Sequence, residues 1–145
     1  MSLWVLDTDH VSLFQQNHPV VTERINAVDP EEIGVTIITL EEQLYGRLNG
    51  IRRANSPQKV ISAYAKLSAT WKYFTSINLL DFDRDAYNCY AEFVRQKIRV
   101  GTQDLRIAAT VISRNGVLVT RNRRDFERVP GLRFEDWTVV ESGEG

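Results

Sequence analysis

Short apolar runs alternate with amphipathic stretches along this chain. Leu3–Leu6 are continuous enough for a buried strand, and a helix is expected from near His10. His18-Pro19 interrupts the pattern, and Val20–Val28 carry the spacing of a second short helix. Ile33–Ile38 make a second β-rich run, stopped by Thr39, after which Leu40–Leu48 return to helical spacing. A polar, basic connection over Arg47–Asn55, containing Gly50, leads to Ser56-Pro57, a capping serine followed by proline at the first helical position. Beyond it Val60, Tyr64, Leu67, Trp71 and Phe74 recur at helical steps, which predicts one apolar stripe belonging to the core. Ile77–Phe82 predict a third strand, and Ala86, Tyr90, Phe93 and Val94 mark one face of the next helix. Gly101 precedes a helix over Thr102–Arg114, closed by Asn115-Gly116. Val117–Thr120 form a fourth apolar run, and the closing "LRFEDWTVV" supplies an edge strand. Strands alternating with helices predict an α/β sandwich around a mostly parallel central sheet.

Composition narrows this only slightly. The 145 residues suit one domain spanning 1–145, and 43% hydrophobic with 26% charged residues is globular. A formal charge of −1 argues against binding polyanions by bulk charge, but leaves room for a local basic patch. Cys89 is the only cysteine, which excludes an intrachain disulfide and disfavours a cysteine-rich zinc site. Neither a signal peptide nor a membrane span is evident, so the expectation is a soluble, cytoplasmic protein.

The positions of the acids change the picture more. In open parallel sheets, ligands bind beyond the carboxyl ends of the strands. Asp7 and Asp9 end the first strand, Glu41 and Glu42 follow the second, Asn122 and Asp125 follow the fourth, and Asp104 opens the helix leading into it. Each has a local role open to it. Asp9 can cap the helix at His10, and Thr39–Glu42 fits a T-x-x-E capping box. Asp104 can face a helix dipole, Glu41 can pair with nearby bases, and Asp125 can pair with Arg121 or Arg124. As a set they are a crevice of carboxylates that repel one another unless a cation intervenes. All-oxygen ligation suits Mg²⁺ or Mn²⁺, and with two histidines and one cysteine zinc is a poor fit. Arg47, Arg52, Arg53 and Lys59, and separately Arg121, Arg123 and Arg124, form two local basic groups that are candidates for binding phosphates, Arg121 foremost.

Two families compete for these residues. "LWVLDTDHV" alone resembles the D-x-D-x-[TV] signature of haloacid-dehalogenase phosphatases, with Asp7 as nucleophile and Asp9 as acid/base, but the later motifs of that family are missing. Four ordered segments, "LDTDHVSLF", "ITLEEQLYGR", "GTQDLRIAA" and "LVTRNRRDFERVPGLRFEDW", span residues 6–137 and resemble the PIN-domain ribonucleases, specifically the VapC toxins of bacterial toxin–antitoxin pairs. That resemblance implies a PIN-like α/β/α sandwich and a metal-dependent endoribonuclease that cuts transfer or ribosomal RNA. It selects Asp7, Glu42 and Asp104, with Asp125 or Asn122, as the catalytic and Mg²⁺-holding set, Mn²⁺ being able to substitute. It also implies a VapB-type antitoxin, a homodimer and a toxin–antitoxin hetero-oligomer. The departure is Asn122, where many PIN domains place Asp. It keeps open a PIN-like module that binds RNA or protein without cutting.

Overall fold

The computed structural model describes residues 2–140. In chain order the elements are β1 (Trp4–Leu6), α1 (Thr8–Gln15), α2 (Pro19–Asn26), a 3-10 turn (Pro30–Glu32), β2 (Ile33–Thr36), α3 (Ile37–Arg53) and α4 (Pro57–Thr75). β3 (Asn78–Leu80), α5 (Arg84–Arg95), α6 (Thr102–Ser113), β4 (Val117–Val119), α7 (Arg123–Phe126) and β5 (Phe134–Glu135) follow. The five strands form one sheet in the order β3-β2-β1-β4-β5, every pairing parallel. β1 therefore lies at the centre, with Trp4 opposite both Ile33 and Val117.

All residues of β2 and β4 are buried, as expected for a parallel sheet covered on both faces. Alternation along each strand divides the core in two. Val5 and Leu118 point to a cluster shared with Phe93, Ile107 and Phe126, while Leu6, Val35 and Val119 point to the opposite one with Val11, Phe74 and Trp137. Gly34 falls on the first side, where a Cβ would stand 3.0 Å from Leu80 Cδ1. Gly34→Ala is accordingly expected to destabilise the protein by about 1–2 kcal/mol, because the buried Leu80 must shift to admit it. A lowered urea midpoint at unchanged slope would register this.

The structure confirms the α/β class and corrects several boundaries. α1 starts at Thr8, two residues before the expected His10, with Asp7 at its N-cap. The β-branched run Ile33–Ile38 is not all strand. Thr36 accepts the Thr39 backbone N–H at 3.2 Å, and this cap turns the chain into α3 at Ile37. Helix α3 then continues through most of the expected Arg47–Asn55 connection. Thr39 is inside the helix, and no capping box with Glu42 forms. The third strand is confined to Asn78–Leu80. On α4, Phe74 is buried but Val60, Tyr64 and Trp71 are exposed, Trp71 at 62%, so the expected core stripe is much narrower than its spacing implied. No helix among the described residues is long and apolar enough to cross a membrane.

Candidate active site

The acids meet at the carboxyl end of the sheet because the turn after β1 and the starts of α3, α6 and α7 all open there. Asp7 extends the β1–β4 ladder by one residue, its N–H donating to Val119 O at 2.9 Å. Its side chain is only 6% exposed and caps nothing; instead the Thr120 hydroxyl donates to Asp7 Oδ2 at 2.7 Å. Burial, and then the nearby Asp9, push the Asp7 carboxyl up to about 7, with Asp104 adding to the rise and the hydrogen bonds from Thr120 and the Thr8 backbone opposing it.

Glu42 lies in the second turn of α3, and the Thr8 hydroxyl donates to its Oε1 at 2.7 Å. Asp104 occupies the first turn of α6. Partial burial, then repulsion from Glu42, Asp125 and Asp9, raise its carboxyl to about 6. Asn122 caps α7: its Nδ2 donates to Asp125 Oδ2 at 3.0 Å, and its Oδ1 accepts the Asp125 backbone N–H. Asn122 and Asp125 thus form one pair on one turn. The fold sets Asp104 within electrostatic reach of Asp7, Glu42 and Asp125, although among the described residues no three His, Cys, Asp or Glu side chains draw close enough to make a ready-formed metal cage.

Two acids have other work. Asp9 does not cap a helix with its side chain. Its Oδ2 accepts the Arg121 backbone N–H at 3.0 Å, and its Oδ1 lies 2.6 Å from His10 Nδ1. Glu41 accepts from Gln103 Nε2 at 2.9 Å, where a basic partner was expected. His10, close enough in sequence to the acids to be a candidate substrate contact, is fully buried. The Trp137 backbone N–H donates to its Nε2 at 3.2 Å, which leaves the proton on Nδ1, directed at Asp9. Residues 8, 120 and 137 were the main omission from the sequence reading. The available signal was a threonine at each strand end, beside two acids in "LDTDH" and beside Arg121 and Asn122 in "LVTRN".

The donor set is compatible with a hard divalent cation. It offers carboxylate oxygen, Glu42, Asp104 and Asp125 are only partly buried, and Mg²⁺ is commonly held by only one or two carboxylates with several waters. Zinc finds no support: His10 has both nitrogens engaged, His18 Nδ1 accepts from Val21 N, and Cys89 lies on α5.

This geometry has recognisable relatives. A family model described as "PIN domain" matches residues 5–132. The "tRNA(fMet)-specific endonuclease VapC" of Salmonella typhimurium is 32% identical over 94% of this chain and 99% of its own length. The protein of the same description from Shigella flexneri is 33% identical over 95% and 100%. This chain belongs to the PIN-domain VapC family. A solved structure, "Crystal structure of DNA bound VapBC from Salmonella typhimurium", superposes with a TM-score of 0.76 at 30% identity, covering 94% of this chain and 99% of that one. Membership over nearly the whole chain displaces the phosphatase reading of Asp7 and Asp9.

Within the VapC frame, Asn122 gives a direct test of the fourth position. Asn122→Asp places two carboxylates in contact on α7, and their repulsion is expected to cost the metal-free protein about 1 kcal/mol. Added Mg²⁺ should recover this loss, so the variant's melting temperature should rise more with Mg²⁺ than that of the parent protein.

Proposed function

We propose that this protein is a metal-dependent endoribonuclease toxin that hydrolyses a phosphodiester bond in RNA and is neutralised by a VapB-type antitoxin. The observation that carries the reading is the placing of Asp7, Glu42, Asp104 and Asp125 at one end of the sheet, where burial and then repulsion from Asp9 and Asp104 raise the Asp7 carboxyl, and burial and then repulsion from Glu42, Asp125 and Asp9 raise that of Asp104. The relatives named as tRNA(fMet)-specific endonucleases support initiator transfer RNA as the first substrate to try, ahead of ribosomal RNA. The solved VapBC complex supports the antitoxin.

Asp7, Glu42 and Asp104, with Asp125, would hold Mg²⁺, or Mn²⁺ in its place. When bound, the cation supplies charge that offsets the growing negative charge on the phosphoryl oxygens and acidifies the attacking water. The protein's own contribution is orientation. Thr120 fixes the Asp7 carboxylate and Thr8 fixes Glu42, each through one short hydrogen bond. Thr120 Oγ1 also accepts the Asn122 backbone N–H at 2.9 Å, so one hydroxyl ties the first acid to the segment bearing the last. Attack by water makes the RNA 2′-hydroxyl unnecessary and leaves 5′-phosphate and 3′-hydroxyl ends. No side-chain nucleophile is required.

The test is incubation of antitoxin-free protein with initiator transfer RNA and with total cellular RNA, in Mg²⁺ or Mn²⁺ and in EDTA, followed by end mapping. Discrete metal-dependent fragments with 5′-phosphates support the proposal. Folded, metal-loaded protein that binds RNA but leaves every species intact would replace it with the non-cleaving module.

A further inference from the structure

Residues 43–80 contain six of the chain's 18 Lys and Arg and none of its 19 Asp and Glu. Much of that charge faces one groove of about 530 Å³ between α3 and α4, lined by Arg47, Arg53, Lys59 and Lys66 over Gly46 and Gly50. Arg52 is exposed but does not line it. The groove shares Arg47 and Lys66 with an adjoining chamber of about 740 Å³ that reaches Ser12 and Gln15 on α1. Among the described residues no carboxylate lines either space. Arg47 Nε donates to Thr70 Oγ1 at 2.9 Å, which fixes the side chain, and its terminal nitrogens have no protein partner among the described residues.

The two glycines are the second observation. Each costs a helix interior about 1 kcal/mol relative to alanine. Close helix packing does not account for them, because a Cβ at Gly46 or Gly50 would meet nothing within 4 Å. What their small size does is keep the groove open. Its four cations suit an anionic ligand. The groove also lies on the helix that carries Glu42: Arg47 is five residues further on, about 7.5 Å along the axis.

We propose that this groove is a phosphate-backbone site, separate from the acids, that seats a single-stranded segment of the RNA substrate. The identity of the occupant rests on the ribonuclease reading, but the groove and the cleavage can fail separately. Here cations supply affinity and the acids supply chemistry, in a protein whose overall charge is slightly negative.

Two variants test it. Lys59→Gln/Lys66→Gln removes charge, while Gly50→Met fills the groove at constant charge with a better helix former. Binding of labelled transfer RNA in EDTA is measured across a salt series, and KM and kcat are measured in Mg²⁺. The double variant is expected to bind about 10-fold more weakly, with a salt slope shallower by about 1.4, roughly 0.7 per lost single-strand contact. Gly50→Met should weaken binding as well, and both variants should raise KM with kcat unchanged. Unaltered affinity and slope in both variants would overturn the site. So would a groove that holds poly-glutamate as tightly as oligouridylate of equal charge, which would assign it to an acidic protein segment. Wild-type protein that binds RNA through the groove and cuts nothing overturns only the ribonuclease reading. Cleavage with KM unchanged in the variants overturns only the groove.

Discussion

Asp7→Asn is expected to abolish RNA cleavage and at the same time make the metal-free protein more stable at neutral pH. The first effect follows from loss of the most buried acid of the cluster; it should exceed the roughly 100-fold that loss of a merely supporting group costs a metal site. The second follows from the raised carboxyl. Between its ordinary 3.8 and about 7, the folded protein holds a proton on Asp7 that the unfolded chain has released. The contribution of this group to stability is thus complete below pH 4, declines as pH rises, and is wholly lost above pH 7. The shift corresponds to a penalty on the order of 4 kcal/mol. Asparagine mimics the protonated acid, keeps an oxygen for the Thr120 hydroxyl and removes the penalty. Melting temperatures at pH 8 should therefore rise by up to about 10 °C, and by less at pH 5. Mg²⁺ should stabilise the parent protein and leave the variant nearly unmoved. A lower melting temperature at pH 8, or cleavage at the parental rate, would contradict this account of Asp7.

His10→Ala should have the opposite effect on stability. It opens a cavity and deprives the buried Trp137 N–H and one oxygen of Asp9 of their partners. Each orphaned group costs about 1–3 kcal/mol, so a total of about 3–5 kcal/mol is expected. The damage should be local as well as global. Trp137 is 2% exposed and packs on Trp4 at 5.4 Å between ring centroids, and its anchor is the histidine. Asp9 is the arm that holds the Arg121 backbone. Limited proteolysis should accordingly cut the variant near its C-terminal segment first, while His10→Asn, which keeps a donor and an acceptor, should recover part of the loss. A urea midpoint equal to the parent's would refute the anchoring role.

Much of this architecture is legible in the sequence, for identifiable reasons. Short apolar runs separated by helical spacing are the signature of a sheet covered on both faces, and the PIN-like parallel sheet has that form. Acids at the ends of such runs pointed to one end of the sheet, and there the fold sets Asp104 within electrostatic reach of Asp7, Glu42 and Asp125. Errors arose where local pattern is ambiguous. Ile37 and Ile38 are β-branched and continue a strand-like run, yet one hydrogen bond at Thr36 decides for helix. Trp71 lies at core spacing on α4, but only a narrow stripe of that helix is covered. The contacts that hold the site together were invisible for another reason: Thr120 reaches Asp7 across 113 residues and Trp137 reaches His10 across 127, and no periodicity encodes such pairs.

The central position of β1 also sets a clock for biosynthesis. The strand precedes every other described element, yet one of its two neighbours in the sheet is β4, and Asp7 meets its hydroxyl partner 113 residues later. At ordinary rates of synthesis that interval is on the order of 10 s. Throughout it the nascent chain has its first acid but not the turn carrying Asp125, the β4 backbone or the tryptophan that closes over His10. A polypeptide truncated before β4 therefore lacks the hydroxyl that fixes Asp7. Synthesis through α7, rather than the mere presence of the first acid, fixes the moment at which the acids stand together at the end of the sheet.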